Sequence, residues 1–152
     1  MTPPDIYELS SRFFTHSTFS TPTVAVSPVP KRSDSAKNTP LGLGVRIPTL
    51  KEANTQDSIV VQLELTLNEP GMVHYLVRAA GTWTKNSDNP QFDLDSWEAF
   101  VCNVALPQLF AICKYEQVAL TRSRQLKHAR FSIETEGRFV DEIRHRLREY
   151  NS

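Results

Sequence analysis

The chain has 152 residues, and 17 Lys and Arg balance 17 Asp and Glu, so the formal net charge is zero. This length predicts one domain, and a neutral balance gives no global attraction to nucleic acid or to an anionic membrane. No run nears the roughly 18 apolar residues of a membrane span, and two cysteines are too few for a disulfide scaffold.

Met1 to Phe14 has neither a basic n-region nor an apolar h-region, so no secretory signal is read there. This leaves two locations open: extracellular or cell surface if the chain is a piece of a larger protein, and otherwise the cytoplasm. Residues 1–57 hold seven of the ten prolines and fifteen Ser or Thr. Such a composition buries little apolar surface against a backbone ordering cost of about 1–2 kcal/mol per residue. This predicts a mostly disordered Pro/Ser/Thr-rich segment over 1–57, followed by a single small folded domain over 58–152. Within the segment, Thr23 to Val26 and Gly44 to Ile47 are candidate edge strands, where proline is tolerated.

From Ser58 the pattern changes. Ile59, Val61, Leu63, Leu65 and Leu67 alternate with Val60, Gln62, Glu64 and Thr66, which is the period of a half-buried strand over 58–67. Val73, Tyr75 and Val77 mark a second strand over 72–78. Between them, Pro70 pre-sets the φ of a turn and Gly71 supplies the positive φ that a type II turn needs. Type I and II turns splay strands joined by a two-residue loop. Pro70 and Gly71 are therefore read as a structural turn that carries the chain from one sheet to another.

Residues 81–92 read as a loop. Asp95 and Glu98 form a candidate capping box for a helix carrying Trp97, Val101 and Val104, and Pro107 is expected to break or kink it. Leu109 to Leu120 fits a second helix with Leu109, Ile112, Cys113 and Tyr115 inward, or a buried strand. Arg130 to Glu134 alternates weakly, like a short strand. Thr135 caps a last amphipathic helix, Glu136 to Tyr150, with Phe139, Ile143, Leu147 and Tyr150 on one face.

The run from Ser58 to Val77, strand–Glu69-Pro70-Gly71–strand, resembles the second and third strands of a fibronectin type III-like or immunoglobulin-like module of large cell-surface proteins. The resemblance covers about residues 48–81. It implies strands in two layers of a β-sandwich and an adhesion or structural role without catalysis. A full sandwich needs about seven strands, and the chain turns helical after Phe92. The predicted fold class is therefore α+β: a partial or truncated β-sandwich-like layer, strands 58–67 and 72–78, followed by a helical C-terminal region and preceded by the disordered N-terminal segment.

The chemistry is sparse. Cys102 and Cys113 are eleven residues apart; on one helix they stand about 16 Å apart, too far to bridge, so buried free thiols are the favoured reading, with a disulfide as the alternative if the chain reverses near Pro107. No two histidines have a metal-ligand spacing, and no nucleophile elbow, P-loop or dinucleotide fingerprint occurs. No enzyme activity, metal or cofactor is predicted. Arg122, Arg124, Lys127 and Arg130 form the one basic cluster, a candidate anion or nucleic-acid contact that more ordinarily is a solvated face. The predicted function is a non-catalytic interaction or structural module with a protein partner, a fragment of a larger surface or extracellular protein. The alternative is an intracellular protein- or nucleic-acid-binding protein that uses residues 122–130 and the C-terminal helix.

Overall fold

A computed structural model describes residues 6–20, 23–28, 41–69, 73–124 and 133–151. In chain order the elements are α1 (Ile6–Phe13), β1 (Phe14–Phe19), β2 (Thr23–Pro28), β3 (Leu41–Arg46), α2 (Leu50–Thr55), β4 (Ser58–Glu69), β5 (Val73–Lys85), α3 (Leu94–Phe100), a π-helical turn (Val101–Ala105), α4 (Leu106–Arg124) and α5 (Ile133–Asn151). This is the predicted α+β class, with a helical region after the last strand and two short helices, α1 and α2, before and between the strands. β4 and β5 form the centre of one antiparallel sheet, and β3 lies on the far side of β4. β1 and β2 share the far edge of β5 end to end, β2 along Val73–Arg78 and β1 along Gly81–Lys85. Both expected edge strands are present, as β2 and β3.

Composition predicts a mostly disordered segment over residues 1–57. Of these, 6–20, 23–28 and 41–57 are described, and they carry α1, β1, β2, β3 and α2. Their neighbours supply what their composition lacks. β4 and β5 provide the ladder partners, and Phe13 stacks on Phe92 with ring centroids 4.0 Å apart. Asn86 closes the end of α1 by donating from Nδ2 to the carbonyls of Ser11 and Arg12, at 3.1 and 2.8 Å. Thr49 and Glu52 form the capping box of α2.

The period-two pattern of β4 is realised. Ile59, Val61, Leu63 and Leu65 are buried, while Val60 on the opposite face is exposed. Val77, Ala79, Gly81 and Trp83 extend the same buried face along β5. The crossing between two sheets is not. β4 and β5 are direct antiparallel partners from Ser58↔Thr84 to Glu69↔Val73. Three residues, 70–72, join the paired ends, and the splaying argument holds only for two-residue loops. Pro70 and Gly71 themselves lie outside the described residues. The second strand also runs on to Lys85, through residues read as loop. Gly81 makes this possible, because a Cβ there would collide with the Trp83 ring.

The helices cover one face of the sheet. The cap of α3 falls two residues before the predicted one: Asp93 Oδ1 accepts from the Ser96 amide at 2.7 Å, and Ser96 Oγ accepts from the Asp93 amide at 3.0 Å. Pro107 does not end the helix. The π turn precedes it, and the Leu106 N–H donates to the Val101 carbonyl. That wider turn makes room for a ring that would otherwise press on the carbonyl four residues back. Leu94–Glu116 is long and apolar enough to cross a membrane, yet 67% of its apolar window is buried inside the protein. It is the helix that covers the core.

α5 starts at Ile133, so the weak alternation up to Glu134 does not mark a strand where the chain is described. Ile143 and Leu147 are buried as predicted, whereas Tyr150 is 82% exposed. Tyr115, predicted inward on α4, is also exposed, while Leu109 and Cys113 are buried.

Candidate functional site

β3 is the last strand on its side of the sheet, with no described strand beyond it. Alternate residues of such an edge turn unpaired N–H and C=O groups outward. Its sequence, Leu-Gly-Leu-Gly-Val-Arg, sorts by face. Leu43 and Val45 pair with buried Leu65 and Leu63, and both pack against the core. Gly42, Gly44 and Arg46 pair with Thr66, Glu64 and Gln62 on the opposite face. Each face of this edge carries a depression, and Val45 lines both.

The outer depression is a notch of about 300 Å³ lined by Gly44, Val45, Arg46, Gln62, Glu64 and Arg78. Arg78 donates from Nε and Nη2 to one carboxylate oxygen, Glu64 Oε2, at 3.1 and 2.7 Å. Both side chains are well exposed, so the pair contributes little stability. Arg46 forms no ion pair with any described residue and is exposed. Two guanidiniums thus face one carboxylate across a floor of glycine backbone.

The inner depression is an apolar groove of about 190 Å³ between the end of β3 and α5. Val45, Ile47 and Pro48 form one wall and Ile143 and Leu147 the other, with Tyr150 and Arg146 at the rim. The α2 capping box fixes the direction of the chain just after Pro48. α5 is held in place by Glu98 of α3, a nearly buried carboxylate: Arg144 Nε lies 3.2 Å from its Oε1, and Arg148 Nη2 lies 2.5 Å from its Oε2. Arg148 also donates to Asp95 Oδ1 at 2.9 Å, the role Asp95 has in place of capping.

The remaining reactive groups are quiet. Cys102 and Cys113 are free and buried. Burial pushes both thiols up, Cys113 to about 11, and Arg144 only partly offsets this at Cys102. Neither is an activated nucleophile. Lys85 is buried and burial lowers its pKa, but its Nζ donates to the Ala53 carbonyl at 2.7 Å and to Asn89 Oδ1 at 2.9 Å. It ties α2 to β5. Among the described residues no three His, Cys, Asp or Glu come together as a metal site.

Of the sequence-predicted residues, Arg122 and Arg124 lie on the last turn of α4, with side chains outside the described residues. Lys127 and Arg130 lie outside the described residues altogether. Sequence reasoning missed Arg46, Glu64 and Arg78 as a cluster. The available signal was the glycine alternation of β3, which marks close backbone approach in a strand.

The single antiparallel sheet with helices on one face resembles in fold a SecB-like chaperone. One such solved structure is the SecB-like chaperone of Mycobacterium tuberculosis in complex with a ChAD peptide from an antitoxin; it matches with a TM-score of 0.50 and 14% identity over 84% of this chain and 91% of that one. At that identity the likeness is one of fold. No family model and no curated protein sequence matches the chain. The fold likeness overturns the fibronectin type III-like and immunoglobulin-like reading, and the cell-surface role drawn from it. Alternating strands around a Pro-Gly turn suit any antiparallel hairpin, and here the hairpin packs on helices rather than on a second sheet.

Proposed function

We propose that this protein is a non-catalytic, chaperone-like binding protein that holds a segment of another polypeptide in the groove between β3 and α5. The observation that carries this is the solvent-open apolar groove of Val45, Ile47, Pro48, Ile143 and Leu147 with Tyr150 at its rim. An aromatic with one wet edge beside an aliphatic trough suits capture of apolar side chains. The fold likeness to a chaperone solved with a bound peptide supports the same reading.

Fluorescence anisotropy with a labelled, reduced and unfolded polypeptide tests it. Tyr150 is almost fully exposed, so Tyr150→Asp leaves the fold intact. The variant is expected to bind about tenfold more weakly, about 1.4 kcal/mol, with an unchanged thermal midpoint. Equal affinity of the two proteins would remove the groove from the binding surface.

A further inference from the structure

The two depressions lie on opposite faces of one edge strand, and an added strand presents successive side chains to opposite faces. We infer that β3 captures its partner by strand addition, and that the partner segment alternates apolar residues with acidic ones. This rests on the protein-binding reading above and specifies its mode and its ligand.

A peptide laid along the edge of β3, which no described strand covers, meets the outward N–H and C=O groups with its own backbone. Every second side chain then falls on the face of the groove walled by Val45, Ile47, Ile143 and Leu147. The intervening side chains fall on the face of the notch, where Arg46 and Arg78 outnumber Glu64. Arg78 is already engaged by Glu64, so Arg46 supplies the charge left for a ligand, and a carboxylate is the group it takes best. The glycines suit this arrangement. A Cβ at Gly44 would approach no closer than 3.9 Å to Glu64, so packing within the sheet does not demand a glycine there, and its absence of a side chain keeps the notch open. A basic residue at the same place would meet two guanidiniums.

Seven-residue peptides and the full chain test this by isothermal titration. The first peptide alternates Leu and Glu; the second has the same composition in blocks; the third replaces Glu with Lys. Two more carry backbone N-methyl groups on one or the other alternate set of residues. The alternating Leu/Glu peptide is expected to bind at least tenfold more tightly than the block and Lys peptides. N-methylation of one set is expected to abolish binding and of the other to be tolerated, because only one set faces the edge. Arg46 is exposed, so Arg46→Glu folds; it is expected to weaken the Leu/Glu peptide at least tenfold and to favour the Lys peptide. Binding that depends on Tyr150 but is indifferent to residue order and to both N-methyl sets would overturn strand addition and leave the groove standing. Strand addition with no loss on Arg46→Glu would overturn the acidic specificity. Failure to bind either these peptides or unfolded polypeptide would remove both proposals.

Discussion

At the scale of single residues, two glycines in the same sheet have opposite reasons to be there. Gly81 is required by packing, since the Trp83 ring occupies the space of its Cβ and the Phe19 ring stands 3.1 Å away. Gly44 has room for a side chain, since a Cβ there would meet Glu64 Cβ at an ordinary 3.9 Å. Gly81→Ala is therefore expected to destabilise the protein by about 1–3 kcal/mol through overpacking, and Gly44→Ala to stabilise it by about 0.4–1 kcal/mol by restricting the unfolded chain. Urea midpoints of the two variants check this; equal shifts would contradict the account of Trp83. The sequence alone ranks these glycines alike, because what distinguishes them is a ring two residues away folded back over one of them. The burial of Cys102 and Cys113 was legible, because both lie among apolar residues at helical spacing.

At the scale of elements, the helical half was legible in existence and not in its boundaries. Two acidic residues, Asp93 and Asp95, stand near the start of α3, and sequence spacing favours the second. The geometry selects Asp93, which reaches the Ser96 amide, and frees Asp95 for Arg148. The cap also sets a pH dependence. Hydrogen bonds from Ser96 hold the Asp93 carboxyl below its ordinary value of 3.8. A depressed pKa means that the stabilisation is fully present above the unfolded-state value and is lost as pH falls through the folded one. Asp93→Asn is expected to keep the cap at pH 7, since Asn caps as well as Asp, and to flatten the loss of stability below about pH 4. Thermal melts across pH 2–7 read this; an unchanged acid slope would assign it elsewhere. Pro107 illustrates the other limit. A helix break is the local expectation, but the π turn before it keeps a buried helix continuous, and the need to cover the sheet outweighs one lost hydrogen bond.

At the scale of the whole molecule, α5 is joined to the core through Ile143, Leu147 and the Glu98 clamp. Removing Glu98 takes the nearly buried carboxylate from two half-exposed guanidiniums, of which Arg148 keeps Asp95. Glu98→Ala is expected to destabilise by about 1–2 kcal/mol and to raise hydrogen exchange across 133–151 more than across β4. Uniform exchange changes would show that α5 does not depend on this contact. Loosening α5 also removes one wall of the groove, so the same variant is expected to lose affinity for unfolded polypeptide.

The sequence by itself determined the α+β class, the buried face of β4 and the amphipathic character of α5, because each is written in local periodicity; β2 and β3 are there only candidates within a segment that composition reads as mostly disordered. Only the tertiary structure decided that β4 and β5 share one sheet, that β1 and β2 extend it, and that the candidate site lies on β3. The physical reason is that an edge is a property of the assembled sheet. Which strand lacks a neighbour, and which charges gather across three strands, depends on pairing between residues far apart in the chain, and the local pattern of β3 carries only the glycines that keep its outer face open.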